Sequence, residues 1–434
     1  MDKLYVESAR ILREVDGKQD SFRNLVFQSS FKNKKQLYKL CLETLKKRPI
    51  LRDIAAECSS LREQEPFVND PHLLLVLLYE YLYGVAGLGR CRNRTWRKAI
   101  EGQESQLAAT KNRLYSRFQA SGKVQNDEQG VIPRYARVNT LKCKLDEVLA
   151  WLQEDGCVRV EVDSEKRKSY LKRIRSLNEF EFCVDPILSN LLVFAPGTDL
   201  HDYRLVVDGR LVLQDKSSCL SAICLNPSPN DVVMDVCAAP GMKTSHLAAL
   251  MDNRGQLFAI DKDKRRVETM RSLLEHKGVT CAQVIHQDFL ALDLSDKKFR
   301  KVTHILLDPP CSGSGIVNRG DAWLDGNTDD TVVDERRINS LGNLQAMMLK
   351  RVLTAPLPSL RRIVYSTCSV HQRENEAVIE EALPTARENG FELVNAMGAW
   401  KHRGSKDYEF GTVCLRSNRK KDATNGFFVA VFER

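Results

Sequence analysis

The chain has 434 residues, of which 43% are hydrophobic and 28% charged, a composition that suits a folded globular protein of two or three domains. No apolar run reaches the roughly 18 residues that a membrane-spanning helix needs, so helical membrane proteins are excluded. Lys and Arg outnumber Asp and Glu by 66 to 57, and residues 1–130 hold 23 basic against 16 acidic side chains. That positive third suits a polyanionic partner, because each phosphate contact releases counterions. A well-solvated helical surface accounts for the same charge. Thirteen cysteines are scattered, without a CxxC pair or a preceding secretory signal, so a reduced compartment is expected over a disulfide framework. A structural zinc site is not expected.

In chain order, residues 1–120 read as helices. Phe31–Leu45 and Pro71–Tyr83 carry apolar residues at three- and four-residue spacing, and Glu101–Phe118 is a polar, alanine-containing stretch of the same type. Ala120–Gly130 reads as a linker. Pro133–Lys142 (PRYARVNTLK) is rich in strand formers, an amphipathic helix follows at Leu145–Glu154, and the basic stretch Glu165–Arg175 reads as a polar helix or loop. With Leu191–Phe194 and Leu211–Gln214 these define a small α+β module over residues 131–225. From Asp231 short apolar runs alternate with helical stretches: Val232–Val236, Leu257–Ile260, Val284–Ile285, Ile305–Leu307, Ile363–Tyr365 and Phe427–Phe432. Buried strands separated by helices predict a mostly parallel sheet covered on both faces, an α/β domain over residues 226–434 behind a helical domain over 1–125.

The chemistry lies where these strands end. Asp231–Met251 (DVVMDVCAAPGMKTSHLAALM) is strand, small-residue turn and helix, and Ala238, Ala239 and Gly241 let backbone amides approach a nucleotide-like ligand. The GxxxxGK[ST] spacing of a P-loop is absent. Asp261 ends the next strand, where a carboxylate can accept hydrogen bonds from both ribose hydroxyls, and Asp288 ends the third. Either acid alone reads equally as a cap. A glycine turn and two acids at three successive strand ends together favour an adenosine-containing cofactor. The fourth strand runs into Asp308–Gly315 (DPPCSGSG), a stiff loop with room for a flat base. An exocyclic-amine methyltransferase would place an aromatic residue after the prolines, where Cys311 stands. The fifth strand ends in Tyr365–Val370 (YSTCSV) and presents Cys368, with a helix expected from near Arg373 whose amide dipole would help hold a thiolate. Either cysteine alone reads as a buried structural residue; two at adjacent strand ends of one sheet point to covalent chemistry.

These segments resemble the Sun-domain, RsmB-type RNA (cytosine-5) methyltransferases. CAAPGMKT, DPPCSGSG, YSTCS and the terminal GFFVAVFE match that family's motifs in order, and PRYARVNTLK resembles the strand that opens its RNA-holding module. SSFKNKKQLYKL, LLVFAPGTDLH and AWKHRG extend the likeness outside the core toward the branch acting on large-subunit (25S/28S) ribosomal RNA. Met242 departs from the glycine that many members carry, and Ile316–Arg337, acidic and poorly patterned, is expected to be a substrate loop.

The resemblance implies a Rossmann-like domain that uses S-adenosyl-L-methionine. Its methionine and ribose would be wrapped by Cys237, Ala238, Ala239, Pro240, Gly241, Met242 and Lys243. Asp261 would hold the ribose with Arg266 nearby, Asp288 the adenine edge, and Asp308 would lie between cofactor and base. Cys368 would attack carbon 6 of the cytosine, because carbon 5 of an aromatic ring is a poor nucleophile until a thiolate adds beside it. Asp308, protonated or sharing a proton because desolvation raises its pKa, would satisfy N3 and the neighbouring amine, and Cys311 would assist release, with a water as the alternative base. Arg137 and Asn139 are the residues expected to contact RNA. The implied setting is a monomer working on ribosomal RNA in the nucleus and nucleolus, without membrane attachment. A transfer-RNA methyltransferase and a non-catalytic RNA-binding assembly factor are the competing readings.

Overall fold

The computed structural model describes residues 2–17, 22–84, 87–120, 131–163, 166–316 and 335–434. Most of the expected linker Ala120–Gly130, and residues 317–334 of the expected substrate loop, lie outside the described residues. The chain divides into two compact units, the first formed by the N-terminal helices and the second by the rest.

The N-terminal unit contains α1 (Asp2–Asp16), α2 (Phe22–Gln28), α3 (Lys34–Glu57), α4 (Ser59–Arg62), α5 (Pro71–Tyr83), α6 (Arg94–Glu101) and α7 (Glu104–Ala120). Its core joins Tyr5, Ile11 and Leu12 of α1 to Leu37, Leu51 and Ile54 of α3 and to Leu73–Leu78 of α5. Local sequence sets several helix ends. Asp70 accepts from Leu73 N in front of Pro71, and Asn33 accepts from Gln36 N, each satisfying a free first-turn amide. The helix expected to stop at Leu45 instead runs through Pro49 to Glu57. Burial of Leu51 and Ile54 against the core outweighs the hydrogen bond lost at the proline.

The second unit begins with a five-stranded sheet: β1 (Arg134–Val138), β2 (Val158–Arg159), β3 (Glu181–Val184), β4 (Leu191–Phe194) and β5 (Leu211–Leu213), in the order β2-β3-β4-β1-β5. The helices α8 (Leu145–Glu154), α9 (Arg167–Arg175) and α10 (Arg204–Val207) complete this α+β module. Glu147 reaches back to the Lys144 amide at 2.7 Å to close the first turn of α8.

Next come α11 (Lys216–Leu225), β6 (Val232–Val236), α12 (Met242–Leu250), β7 (Gln256–Asp261), α13 (Lys264–His276), β8 (Ala282–His286), β9 (His304–Leu307), α14 (Glu335–Leu353), β10 (Arg362–Thr367), α15 (Glu376–Glu388), β11 (Glu392–Val394), β12 (Leu415–Ser417), α16 (Arg419–Asp422) and β13 (Phe427–Glu433). The large sheet runs β11-β13-β10-β9-β6-β7-β8, with β12 on the side of β13. The strands β10, β9, β6, β7 and β8 are parallel and β13 is antiparallel to β10. Successive residues of β9 and β10 enter opposite cores. Ile305, Leu307, Ile363 and Tyr365 meet Leu349 and Val352 of α14 and Ile379 of α15; Leu306 and Val364 meet Leu220 of α11 and Leu247 of α12. Both faces are covered, so these strands carry apolar residues throughout.

The sheet matches the expected Rossmann-like α/β domain, with one boundary moved. α11, assigned by sequence to the middle module, packs on the large sheet: Leu220, Ala222, Cys224 and Leu225 share one core with Val233, Leu306 and Val364 of that sheet and with Tyr135 and Val193 of the small one. Strand order reverses between β6 and β9, and ligand crevices form at the carboxyl ends of strands beside such a switch.

Candidate active site

The turn after β6 is built for close approach. Cys237 adopts φ 63° and Gly241 φ 101°, and a Cβ on Gly241 would lie 3.0 Å from the Met270 side chain. Glycine meets both demands. Asp261, at the end of β7, accepts from Ala239 N (3.1 Å) and Asp263 N (3.0 Å), and Arg266 donates to the Ala239 carbonyl. The turn Cys237–Gly241, Asp261 and Arg266 are thus held together as one cradle. Each Asp261 oxygen keeps a second lone pair for a ligand hydroxyl. The carboxylate of Asp261 beside the small side chains of Ala238, Ala239 and Gly241 fits a nucleoside-bearing ligand. Asp288 follows Gln287, whose amide donates to the Asp261 carbonyl at 3.1 Å; its carboxyl is exposed and accepts from Leu290 N at 2.9 Å, capping the short turn Phe289–Ala291.

Beneath the turn, Asp235 of β6 is wholly buried; one oxygen accepts from Thr244 Oγ1 at 2.7 Å and the other has no partner. Burial pushes its carboxyl up to about 7, against the Thr244 hydrogen bond and with help from Asp308.

Asp308 follows β9. Its Oδ2 accepts from Lys243 Nζ at 2.7 Å and its Oδ1 from Ser366 Oγ at 2.9 Å. Burial opposes the charge on Lys243, but the Asp308 carboxylate, with Cys368 and Asp235 behind it, outweighs burial and raises the lysine's pKa. Both Asp308 oxygens accept hydrogen bonds, and Lys243, a residue the sequence placed only on the cofactor, is the donor at Oδ2.

Cys311 and Cys368 meet with their sulfurs 3.1 Å apart. The hydrogen bond to Cys368, then burial, then the charges of Cys368 and Asp308 push the Cys311 thiol well up. Cys311 is thus a thiol that resists losing its proton beside Cys368.

The expected helix start near Arg373 is displaced. A single turn covers Gln372–Glu374 and α15 begins at Glu376, because Glu374 and Asn375 are fully buried in side-chain hydrogen bonds that interrupt the helical path. The group at this turn that reaches the cysteine loops is the Glu374 carboxyl rather than a row of helix amides. It accepts from Ser312 N (2.8 Å), Ser312 Oγ (2.6 Å), Ser369 Oγ (2.5 Å) and Gln345 Nε2 (3.1 Å). Gln345 also donates to the Pro310 carbonyl at 2.9 Å, and Asn375 to the Ser369 carbonyl at 2.9 Å. Glu374 ties the loop of Cys311 to the loop of Cys368. Sequence reasoning passed over it. The only signal was an acid six residues beyond a candidate nucleophile.

The two expected RNA contacts are corrected. Arg137 is 2% exposed and Asn139 1%. Arg137 donates to Gln214 Oε1 (2.8 Å) and Ser245 Oγ (3.1 Å), and burial pulls its guanidinium down to about 10. Asn139 donates to the carbonyls of Gly209 and Lys277, both at 2.8 Å. These side chains fasten the small sheet to the large domain, so neither is available to a nucleic acid backbone.

A switch-point cradle beside paired thiols at adjacent strand ends defines a methyltransferase of the covalent, cytosine-modifying class. Residues 222–433 match the profile of the 16S rRNA methyltransferase RsmB/F family. Residues 132–214 and 35–129 match the ferredoxin-like and N-terminal domains of NOL1/NOP2/Sun domain family member 5. The chain belongs to this family of RNA (cytosine-5) methyltransferases. It is 42% identical to the 26S rRNA (cytosine-C(5))-methyltransferase nsun-5 of Caenorhabditis elegans, covering 100% of this chain and 98% of that one. It is 39% identical to a 28S rRNA (cytosine-C(5))-methyltransferase of Mus musculus, covering 99% and 91%. The crystal structure of PH0851 shares the fold, with a TM-score of 0.67 at 21% identity over 99% of this chain and 98% of that one.

Proposed function

We propose that this protein methylates carbon 5 of a cytosine in large-subunit ribosomal RNA, with S-adenosyl-L-methionine as donor and Cys368 as nucleophile. The observation that carries the chemistry is the pair of sulfurs 3.1 Å apart beside the Lys243–Asp308 ion pair. The ribosomal substrate rests on the relatives' named activities over nearly the whole chain. The residues of the β6 turn with Asp261 and Arg266 hold the donor, which when bound supplies an electrophilic methyl group.

Cys368 adds to carbon 6 of a cytosine that has left its stack, and carbon 5 becomes an enamine carbon. Charge moves toward N3, where the proton held between Lys243 Nζ and Asp308 Oδ2 stabilises it. Ser366 fixes the Asp308 carboxylate for that task. Water takes the proton from carbon 5 once it carries both hydrogen and methyl. The electrons of that carbon–hydrogen bond re-form the ring double bond, and Cys368 leaves as the thiolate, which accepts a hydrogen bond from the Cys311 thiol.

One chain holds every group that this scheme needs, so a monomer suffices. Action on large-subunit RNA implies a nuclear, nucleolar enzyme, in keeping with the basic runs Lys32–Lys35 and Arg416–Lys421.

Cys311→Ala is expected to accumulate a covalent protein–RNA adduct on denaturing gels. Cys368→Ala is expected to form no adduct and to lose methyl transfer by roughly a thousandfold or more. Nucleotide-resolution mapping of 5-methylcytosine, with and without the wild-type protein, is expected to show one change in large-subunit RNA. Normal methylation by Cys368→Ala overturns the mechanism, and a change confined to transfer RNA overturns the substrate.

A further inference from the structure

With Arg137 and Asn139 buried, the surface that meets the substrate lies elsewhere, and two basic runs remote in sequence supply one. In α9 (RKSYLKRIR) five of nine residues are cationic, and only Tyr170 and Ile174 are buried. α16 with the residue before it reads NRKKD. The two segments are in contact. Arg167 donates to the Lys421 carbonyl at 2.7 Å, and Arg175 donates to the Arg419 and Lys420 carbonyls at 3.0 and 2.7 Å.

Arg167 and Arg175 are eight residues apart, about two turns and roughly 12 Å along one helix side, so α9 lies along α16 rather than touching it at a point. Most acids at this junction are already committed. Asp422 is buried and paired with Arg167 and His402, and Glu181 is paired with Arg173. Lys168 and Lys172, one turn apart on the stripe beside Arg175, are exposed, as are Lys420 and Lys421. Among the described residues none of these four ammonium groups has an ion-pair partner. Folding thus gathers four unpaired positive charges around the carbonyl-bound Arg175. Such self-repulsion is relieved by an anion.

The patch is joined to the catalytic edge. The five residues after Lys421 are held by Tyr135 OH on the Ala423 carbonyl (2.9 Å), Thr424 on Asp215, and the Gly426 amide on the Gly315 carbonyl (2.8 Å). The Gly315 amide in turn donates to the Cys368 carbonyl at 2.9 Å. Five residues span at most about 18 Å, so the lysines lie within a few nucleotides' reach of the thiols.

We propose that Lys168, Lys172, Lys420 and Lys421 form one docking surface for the phosphate backbone of the RNA strand beside the target cytosine. This rests on the reading of the protein as an RNA methyltransferase. Ammonium groups bind phosphates as point charges without demanding a base sequence, so the surface supplies affinity and register while the cleft selects the base.

The test uses the full-length protein and a fluorescein-labelled, cytosine-containing single-stranded RNA, with anisotropy read across a salt series. Lys168→Glu with Lys172→Glu, and separately Lys420→Glu with Lys421→Glu, are each expected to weaken binding about tenfold or more at low salt. The slope of log affinity against log salt is expected to fall by about 0.7 for each lost contact, with the melting temperature unchanged. If either pair fails to fold, the Lys→Gln pairs give the same reading with a smaller charge change. Unchanged affinity and salt slope in folded variants overturn the proposal. So does a polyglutamate peptide that displaces RNA from the wild type and loses affinity in the variants as much as RNA does, since the surface then serves an acidic protein segment. If the wild type binds this RNA through the four lysines yet methylates no RNA, the enzymatic reading fails and the surface stands.

Discussion

Two strand ends in the second unit carry polar residues of similar type and use them in opposite ways. At the carboxyl edge of the large sheet, Asp308, Cys311 and Cys368 are partly exposed and face one another across a cleft. At the end of β1, Arg137 and Asn139 are sealed beneath α12 and the turn after α13. The difference lies in what covers the strand end. Where no described residue packs across the edge, side chains stay available for chemistry. Where a second element packs across, the same polar groups become fasteners that satisfy otherwise orphaned carbonyls.

The largest expected effect comes from removing a fastener. Arg137→Ala deletes two buried hydrogen bonds and leaves a cavity, so unfolding in urea should show a loss of about 2–4 kcal/mol, while the folded fraction keeps its RNA affinity. An unchanged denaturation midpoint with weakened RNA binding would return Arg137 to the substrate surface. Next is Glu374, a positioning residue that touches both cysteine loops but not the reacting atoms. In Glu374→Gln one acceptor oxygen becomes a donor facing donors. The turnover rate is expected to fall about tenfold to a hundredfold, with KM for S-adenosylmethionine unchanged. Slower adduct formation in the Cys311→Ala background would place the defect at attack by Cys368; full activity would show that the clamp is dispensable.

The smallest effect is a pH dependence under the cofactor turn. Asp235 has its carboxyl raised from 3.8 to about 7. Between those values the folded protein holds a proton that the unfolded chain has released, so stability falls as pH rises through that window. Asp235→Asn removes this dependence. The difference in stability between the two proteins is expected to change by about 1–2 kcal/mol between pH 5 and pH 7. Parallel curves would mean that Asp235 is ionised throughout.

Much of this site was legible in sequence, because strands covered on both faces are marked by unbroken apolar runs, and the residue after each run is where the cleft opens. Cys311, Cys368, Asp308, Asp261 and the Gly241 turn were found that way. Lys243 was found, but its ion pair with Asp308 was not, since that pair joins residues 65 positions apart. Glu374 was missed because a buried acid inside a helix-like segment has no periodic signature. Arg137 and Asn139 were misplaced because a strand-end polar residue looks the same whether water or another sheet lies beyond it.

Alternation and composition alone fixed the domain types, the order of the parallel strands along the chain and the thiol pair, since each depends on local backbone preference and on apolar runs that must be buried. Only the tertiary structure decided which charges are neutralised and that the basic runs at Arg167–Arg175 and Arg419–Lys421 form a single surface. Those outcomes depend on distances between segments up to 254 residues apart, and Coulomb and desolvation energies act through space rather than along the chain.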